Sequence, residues 1–210
     1  MTKKERALLA VQTLEEVYPQ ATCALQYEKP YELLIAVRLS AQCTDARVNQ
    51  ITPKLFAAYP TLESLAAADI GDLEEIVRPC GFYHMKARSI KEMSAQLLLH
   101  FGGVVPDNMK DLLSLSGVGR KTANLILGDV YGKPAIVADT HFIRITGRLG
   151  LTKSKDTVQV EKDLRPLIPT ERSSDCCHRV VWFGRDTCRA RKPRRQGWPM
   201  AGFTPSPRAS

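Results

Sequence analysis

Hydrophobic residues recur along most of the chain at the three- and four-residue spacing of α-helices. Over 3–17 this spacing gives one apolar face, whereas "YELLIAVRLSAQ" is apolar nearly all round, which is typical of a helix buried inside a bundle. The same spacing predicts further helices over 45–58, 61–67, 71–78 and 84–100, from about Asp139, and over 156–166 and 171–184. "PAIVA" at 134–138 is strand-like but has no partner run, so we expect an extended connection. The pattern predicts an all-α fold.

Composition limits the possible classes of protein. The chain has 210 residues, of which 44% are hydrophobic and 25% charged, enough for one good-sized core or two small ones. We see no apolar run long enough to span a membrane, and Glu5 and Arg6 interrupt the region where a signal peptide needs its apolar stretch. We therefore expect a cytoplasmic protein without a membrane partner.

The net charge of +8 is concentrated at the C-terminus. Residues 185–210 contain seven Lys or Arg and a single acidic residue, Asp186, so the rest of the chain is nearly neutral. Bulk charge therefore predicts a basic tail, and nucleic-acid binding has to be inferred from a site.

Six cysteines are spaced irregularly, and with no export signal we expect reduced, mostly buried thiols. Cys176 and Cys177 are adjacent on a predicted helix, where they point in different directions. A shared metal site is therefore not expected there.

The segment "LLSLSGVGRKTANLILGDV" predicts a helix, a glycine turn and a second helix. Gly117 and Gly119, on either side of Val118, let the turn adopt conformations with positive φ and expose N–H groups beside a helix N-terminus. Such a turn suits the grip of a nucleic-acid phosphate and reads no base sequence. The structural alternative is a turn whose glycines only allow close helix packing.

Arg120 and Lys121 follow the turn directly, although the helix dipole favours acidic residues there. A lysine that is partly desolvated and close to Arg120 has its ammonium form disfavoured, which an amine nucleophile requires. The alternative is a solvated surface lysine. Asp139 follows "PAIVA" and is predicted to cap the next helix; the returning chain would also bring its carboxylate toward Lys121, where it would stabilise a sugar cation.

Four motifs together resemble a known family. "LSGVGRKTAN" and "VADTHFIRITGRLGL" resemble the helix-hairpin-helix DNA glycosylases, and with "LLIAVRLSAQCTDARVNQ" and "GFYHMKARSI" the chain resembles endonuclease III in particular. The resemblance implies two helical lobes with a DNA groove between them. One lobe, expected over 22–133, is a helical barrel with the helix-hairpin-helix. The other lobe is built from N- and C-terminal helices and is expected over 1–21 plus 134–187. A basic tail is expected over 188–210.

The resemblance also implies an activity, that of a bifunctional DNA glycosylase and abasic-site lyase of base excision repair. Such an enzyme removes oxidised pyrimidines from double-stranded DNA and cleaves 3′ of the abasic site by β-elimination through a lysine Schiff base. Lys121 matches the nucleophile and Asp139 the carboxylate. We expect a monomer associated with the nucleoid.

Two alternatives to this activity remain. One is a catalytically impaired DNA-binding relative. The presence of both Lys121 and Asp139 argues against it. The other is a monofunctional adenine glycosylase, a branch that lacks the hairpin lysine and has a glutamate at the position of Val37.

Further DNA contacts are implied by the resemblance. Gln42 matches the residue that fills the hole left by the flipped base, and Phe82 the wedge between bases. Without the family, Gln42 is an ordinary polar helix end and Phe82 a core residue. His84 either contacts phosphate or caps the next helix, and the role of His141 is similarly open.

Finally, the resemblance implies a loop with four cysteines spaced C-x6-C-x2-C-x5-C that hold a [4Fe–4S] cluster. Here Cys188 is the first, but Arg195, Trp198 and Thr204 stand at the other three positions. We therefore expect no cluster and no other cofactor, and a basic tail that contacts DNA phosphate.

Overall fold

A computed structural model describes residues 1–191. Within this range the chain is helical and has no strand, which confirms the all-α prediction. The α-helices are α1 Lys3–Val17, α2 Pro30–Ser40, α3 Asp45–Ala58, α4 Leu62–Ala67, α5 Ile70–Val77, α6 Tyr83–Phe101, α7 Met109–Ser114, α8 Arg120–Asp129, α9 Thr140–Arg148, α10 Thr157–Leu164 and α11 Ser173–Asp186. Short 3-10 helices cover Arg78–Cys80 and Thr170–Arg172.

The chain divides into two compact units. One is the continuous segment Ala24–Tyr131, and the other joins Met1–Cys23 to the described part of the chain from Gly132 onward. No helix within the described residues is both long and apolar enough to cross a membrane.

Helix α2 forms the centre of the Ala24–Tyr131 unit. Its side chains Leu33, Leu34, Ile35, Ala36 and Leu39 are buried almost completely. Helices α3, α6 and α8 pack against it, and α4 and α5 pack against α6. The prediction of a helix buried inside a bundle is therefore confirmed.

Polar caps explain where the helices of this unit begin. The side chains of Thr44 and Thr61 accept hydrogen bonds from backbone N–H groups in the first turns of α3 and α4, and Asp69 does the same for α5. Such caps satisfy donors that a helix leaves unpaired at its start.

In the other unit, α11 packs against α1 and α9 around the buried side chains of Leu14, Val180 and Phe183. The segment 134–138 is extended, as predicted, and its apolar side chains are buried. The N–H of Val137 donates to the Cys177 thiol, 3.3 Å away. Burial raises the pKa of the neighbouring Cys176 thiol to about 12, so both cysteines act as core residues.

Candidate active site and DNA interface

The predicted hairpin consists of α7, a turn and α8. Gly117 has φ +75°, as expected, but Gly119 has φ −99° and ψ 175°. The turn therefore uses positive φ at Gly117, whereas Gly119 is extended and serves as the N-cap of α8. A Cβ at Gly119 would have no neighbouring heavy atom within 4 Å, so this side of the turn is open. Val118 between them is buried.

Lys121 lies in the first turn of α8. That turn has no acidic residue, and no side chain caps the helix. The N-terminal end of the α8 dipole therefore has neither a capping side chain nor an acidic side chain in its first turn. The Lys121 side chain is exposed, whereas we expected partial desolvation, because the turn folds against α2 and α6 and leaves the start of α8 at the surface.

Asp139 is the N-cap of α9, as predicted. Its Oδ1 accepts a hydrogen bond from the Phe142 N–H at 2.7 Å, and the side chain is half-buried. This bond leaves Oδ2 as the oxygen with capacity for a second partner.

Gln42 and Phe82 share an unusual backbone conformation. They have φ +55° and +49°, and among the described residues they are the two non-glycine positions with positive φ. Both side chains are exposed, and 62% of Phe82 is accessible, so the alternative of Phe82 as a core residue is wrong. Non-glycine residues in this conformation carry strain, which proteins concentrate at functional sites.

The two histidines that we considered as DNA contacts, His84 and His141, have defined partners. His84 Nδ1 lies 2.7 Å from Glu74 Oε2, and its ring contacts Tyr83. His84 does not cap α6, because the N-cap is Phe82 and no side chain supplies a cap bond. His141, in the first turn of α9, is half-buried with Nδ1 3.1 Å from an Arg144 guanidinium nitrogen.

Cys188 is fully buried, and its sulfur accepts a hydrogen bond from Arg148 Nη1 at 3.0 Å. The same guanidinium donates to the carbonyls of Arg189 and Ala190 at 3.1 and 3.0 Å. Arg148 therefore holds the beginning of the tail together with Arg144, whose Nη2 donates to the Cys188 carbonyl at 3.0 Å. The sequence alone did not indicate this role of Arg148.

The other three positions of the implied cluster loop, Arg195, Trp198 and Thr204, lie outside the described residues, as does most of the basic tail. None of these residue types supplies a thiolate. Residues 1–191 contain no group of three or more His, Cys, Asp or Glu that could hold a metal ion. One thiol that already accepts a guanidinium bond does not fit a four-thiolate cluster.

Lys86 is a further residue that was not singled out from the sequence. It is buried almost completely, with an exposed fraction of 1%. Its position was a usable signal: Lys86 is in phase with the apolar face formed by Ile90, Met93 and Leu97 on α6. A charged residue on a core-facing stripe requires buried partners.

Comparison with known proteins agrees with this geometry. Residues 35–170 match the model of a protein family described as "HhH-GPD superfamily base excision DNA repair protein". Endonuclease III of Synechocystis is 42% identical over 210 residues, which cover 100% of this chain and 96% of the relative.

Two solved structures match with a TM-score of 0.91 and 40% identity, each over 97% of this chain. One is a non-covalent endonuclease III–DNA complex, and the match covers 95% of its protein chain. The other is a trapped endonuclease III–DNA covalent intermediate, and the match covers 96% of its protein chain.

The fold and the hairpin site are those of a base excision DNA repair protein with a helix-hairpin-helix. Within that class, the chain belongs to the endonuclease III family. It is a DNA glycosylase and abasic-site lyase, and its partner is double-stranded DNA.

Proposed function

We propose that Lys121 is the nucleophile of this enzyme and that the substrates are oxidised pyrimidine nucleotides. The amine forms a bond to C1′ of the flipped nucleotide, the glycosidic bond breaks, and the base leaves with a proton. The sugar ring then opens: the C1′–O4′ bond breaks, O4′ takes a proton, and C1′ and the lysine nitrogen form a protonated Schiff base. The Schiff base acidifies the C2′ proton, and loss of that proton expels the 3′ phosphate. The observation that carries this proposal is the position of Lys121: it lies directly after the glycine turn, in a first turn that has neither an acidic residue nor a side-chain cap.

Asp139 acts with Lys121 in this proposal. Its Oδ1 holds the start of α9, which fixes the orientation of the carboxylate. The carboxylate would stabilise positive charge on the sugar and accept the proton that the lysine loses on attack.

The proposed DNA contacts fall into three sets: the hairpin turn, two side chains that enter the duplex, and two histidines. Gly117, Val118, Gly119 and Arg120 form a phosphate grip at the start of α8, supported by the open space beside Gly119. Gln42 fills the gap left by the flipped base and Phe82 wedges between bases, supported by their exposure and strained backbone. His84 and His141 contact flanking phosphates, His84 through Nε2 because Nδ1 faces Glu74.

We expect the enzyme to act on double-stranded DNA as a monomer. We further propose that the enzyme works without an iron–sulfur cluster, supported by the residue types at the ligand positions and by the Arg148 bond to Cys188. The curated relative that covers the whole chain is bacterial, so we expect a cytoplasmic enzyme associated with the nucleoid.

Borohydride trapping tests the nucleophile. Reduction of the Schiff base on a duplex with one abasic site converts it into a stable protein–DNA adduct. The native chain is expected to give the adduct and Lys121→Ala to lose it, while Lys110→Ala, an exposed lysine of α7 in the same hairpin, keeps it. An adduct that persists in Lys121→Ala would refute the assignment.

A further inference from the structure

Two segments of the Ala24–Tyr131 unit hold the residues that would enter DNA. Gln42 follows α2 by two residues, and Phe82 immediately precedes α6. Each adopts a left-handed backbone that is strained for a non-glycine residue and persists only where the surroundings fix it. The residues that fix these segments therefore determine how the two side chains are presented.

The Lys86 ammonium contacts both segments. Its Nζ donates to the carbonyl of Leu39 at 2.8 Å and to the carbonyl of Cys80 at 2.8 Å. Leu39 is three residues before Gln42, and Cys80 is two residues before Phe82. One buried cation thus connects the end of α2 to the turn that leads into α6.

The backbone of Lys86 adds a third link. Its N–H donates to the carbonyl of Phe82 at 3.1 Å in the first turn of α6. The residue is therefore bound to Phe82 through the main chain and to the two carbonyls through the side chain. A shift of either carbonyl would change the position of Phe82 relative to Gln42.

The chemistry of the two acceptors explains why a cation occupies this position. Leu39 lies in the last turn of α2 and Cys80 ends a 3-10 helix, so both carbonyls are helix-end acceptors that need partners. Burial lowers the pKa of Lys86, while the Cys80 and Cys43 thiols oppose that shift. An apolar side chain of the same volume would fill the space and leave two buried acceptors unpaired.

We propose that Lys86 is a positioning residue for damage recognition, which sets the distance between the Gln42 and Phe82 segments so that both side chains enter the duplex together. It acts through these segments and does not touch the reacting atoms. This inference rests on the proposed roles of Gln42 and Phe82. It predicts a defect specific to double-stranded substrates, because a single strand contains no stack to enter.

The test compares Lys86→Met with Lys91→Met. Lys91 is the matched control, because it lies on the same helix and its Nζ also donates to a backbone carbonyl, that of Ala68 at 2.6 Å, away from the two segments. Single-turnover borohydride trapping is measured on an abasic site in a duplex and in a single strand. Circular dichroism and thermal unfolding show whether each variant is folded.

Lys86→Met is expected to slow trapping on the duplex by about ten- to a hundred-fold, the size of effect that a small misplacement produces. Its rate on the single strand should stay within about two-fold of the native rate, as should both rates of Lys91→Met. A Lys86→Met variant that loses both rates equally, or neither, would overturn the proposal.

A double-mutant cycle provides the second readout. If Lys86 acts through the Phe82 segment, adding Phe82→Ala to Lys86→Met should slow the duplex reaction less than the product of the two single effects. Independent, multiplicative effects would contradict a shared role. If Lys86→Met does not fold, Lys86→Gln replaces it in both tests, because its side chain is one bond shorter and its amide is expected to donate to one of the two carbonyls only, which still breaks the link between the segments.

The same experiment separates the two proposals. If Gln42→Ala and Phe82→Ala slow the duplex reaction but the Lys86 variant does not, the positioning role is wrong and the insertion roles stand. If neither Gln42→Ala nor Phe82→Ala affects the duplex rate, the proposed insertion roles fail and the positioning role fails with them.

Discussion

Gly117 lies directly against Arg38: a Cβ on this glycine would be 2.7 Å from Arg38 Nε and 2.8 Å from its Cδ. With φ +75° as well, Gly117→Ala combines backbone strain with a steric clash. We expect the free energy of unfolding to fall by about 2 kcal/mol or more, measured by urea titration. A loss below about 0.5 kcal/mol would contradict this packing.

Gly119→Ala is the matched substitution with the opposite expectation. Its backbone suits any residue and a Cβ meets no atom within 4 Å, so stability should stay within about 0.5 kcal/mol. Because the new methyl group would occupy the side that faces the phosphate, the Kd for an abasic duplex should rise several-fold, as measured by fluorescence anisotropy. Unchanged affinity would argue against the phosphate grip.

Asp139 caps α9, and two substitutions separate this role from the chemical role that we propose for its carboxylate. Asp139→Asn keeps a side-chain acceptor for the Phe142 N–H, whereas Asp139→Ala removes it and should cost about 1 kcal/mol. Both remove the carboxylate, so both should slow single-turnover glycosylase activity by about a hundred-fold or more. An active Asp139→Asn enzyme would show that capping is the only role.

Phe82→Gly relieves the positive φ and removes an exposed ring. The free energy of unfolding should change by no more than about 1 kcal/mol, while the rate on damaged duplex falls by about ten-fold or more. Met85→Ala is the control, because Met85 is equally exposed in the first turn of the same helix. Equal rates for both variants would refute the wedge.

The expected absence of a cluster is tested by chemical analysis. Protein purified without oxygen should contain no stoichiometric iron or labile sulfide, and incubation with ferrous iron and sulfide should give the same result for the native chain and Cys188→Ala. Iron and sulfide in the proportion of a whole cluster, lost in Cys188→Ala, would contradict the assignment.

The helical fold was predictable because apolar residues at helical spacing and polar caps such as Thr44 act locally. The place of Lys121 after the glycine turn and the cap at Asp139 were also marked by their neighbours in sequence, but the exposure of the Lys121 side chain was not, since we expected it to be partly desolvated. Lys86 was not recognised, because its carbonyl partners come from segments 6 and 47 residues away. The left-handed backbone of Gln42 and Phe82 could not be predicted either, because such a conformation is normally expected at glycine and neither residue is one.

Peptide mapping of the borohydride-reduced adduct tests most directly whether Lys121 carries the covalent chemistry. Trypsin cannot cleave after a modified lysine, so we expect one peptide that spans the Lys121–Thr122 bond and carries the DNA remnant. A remnant on any other amine, with normal cleavage after Lys121, would contradict it.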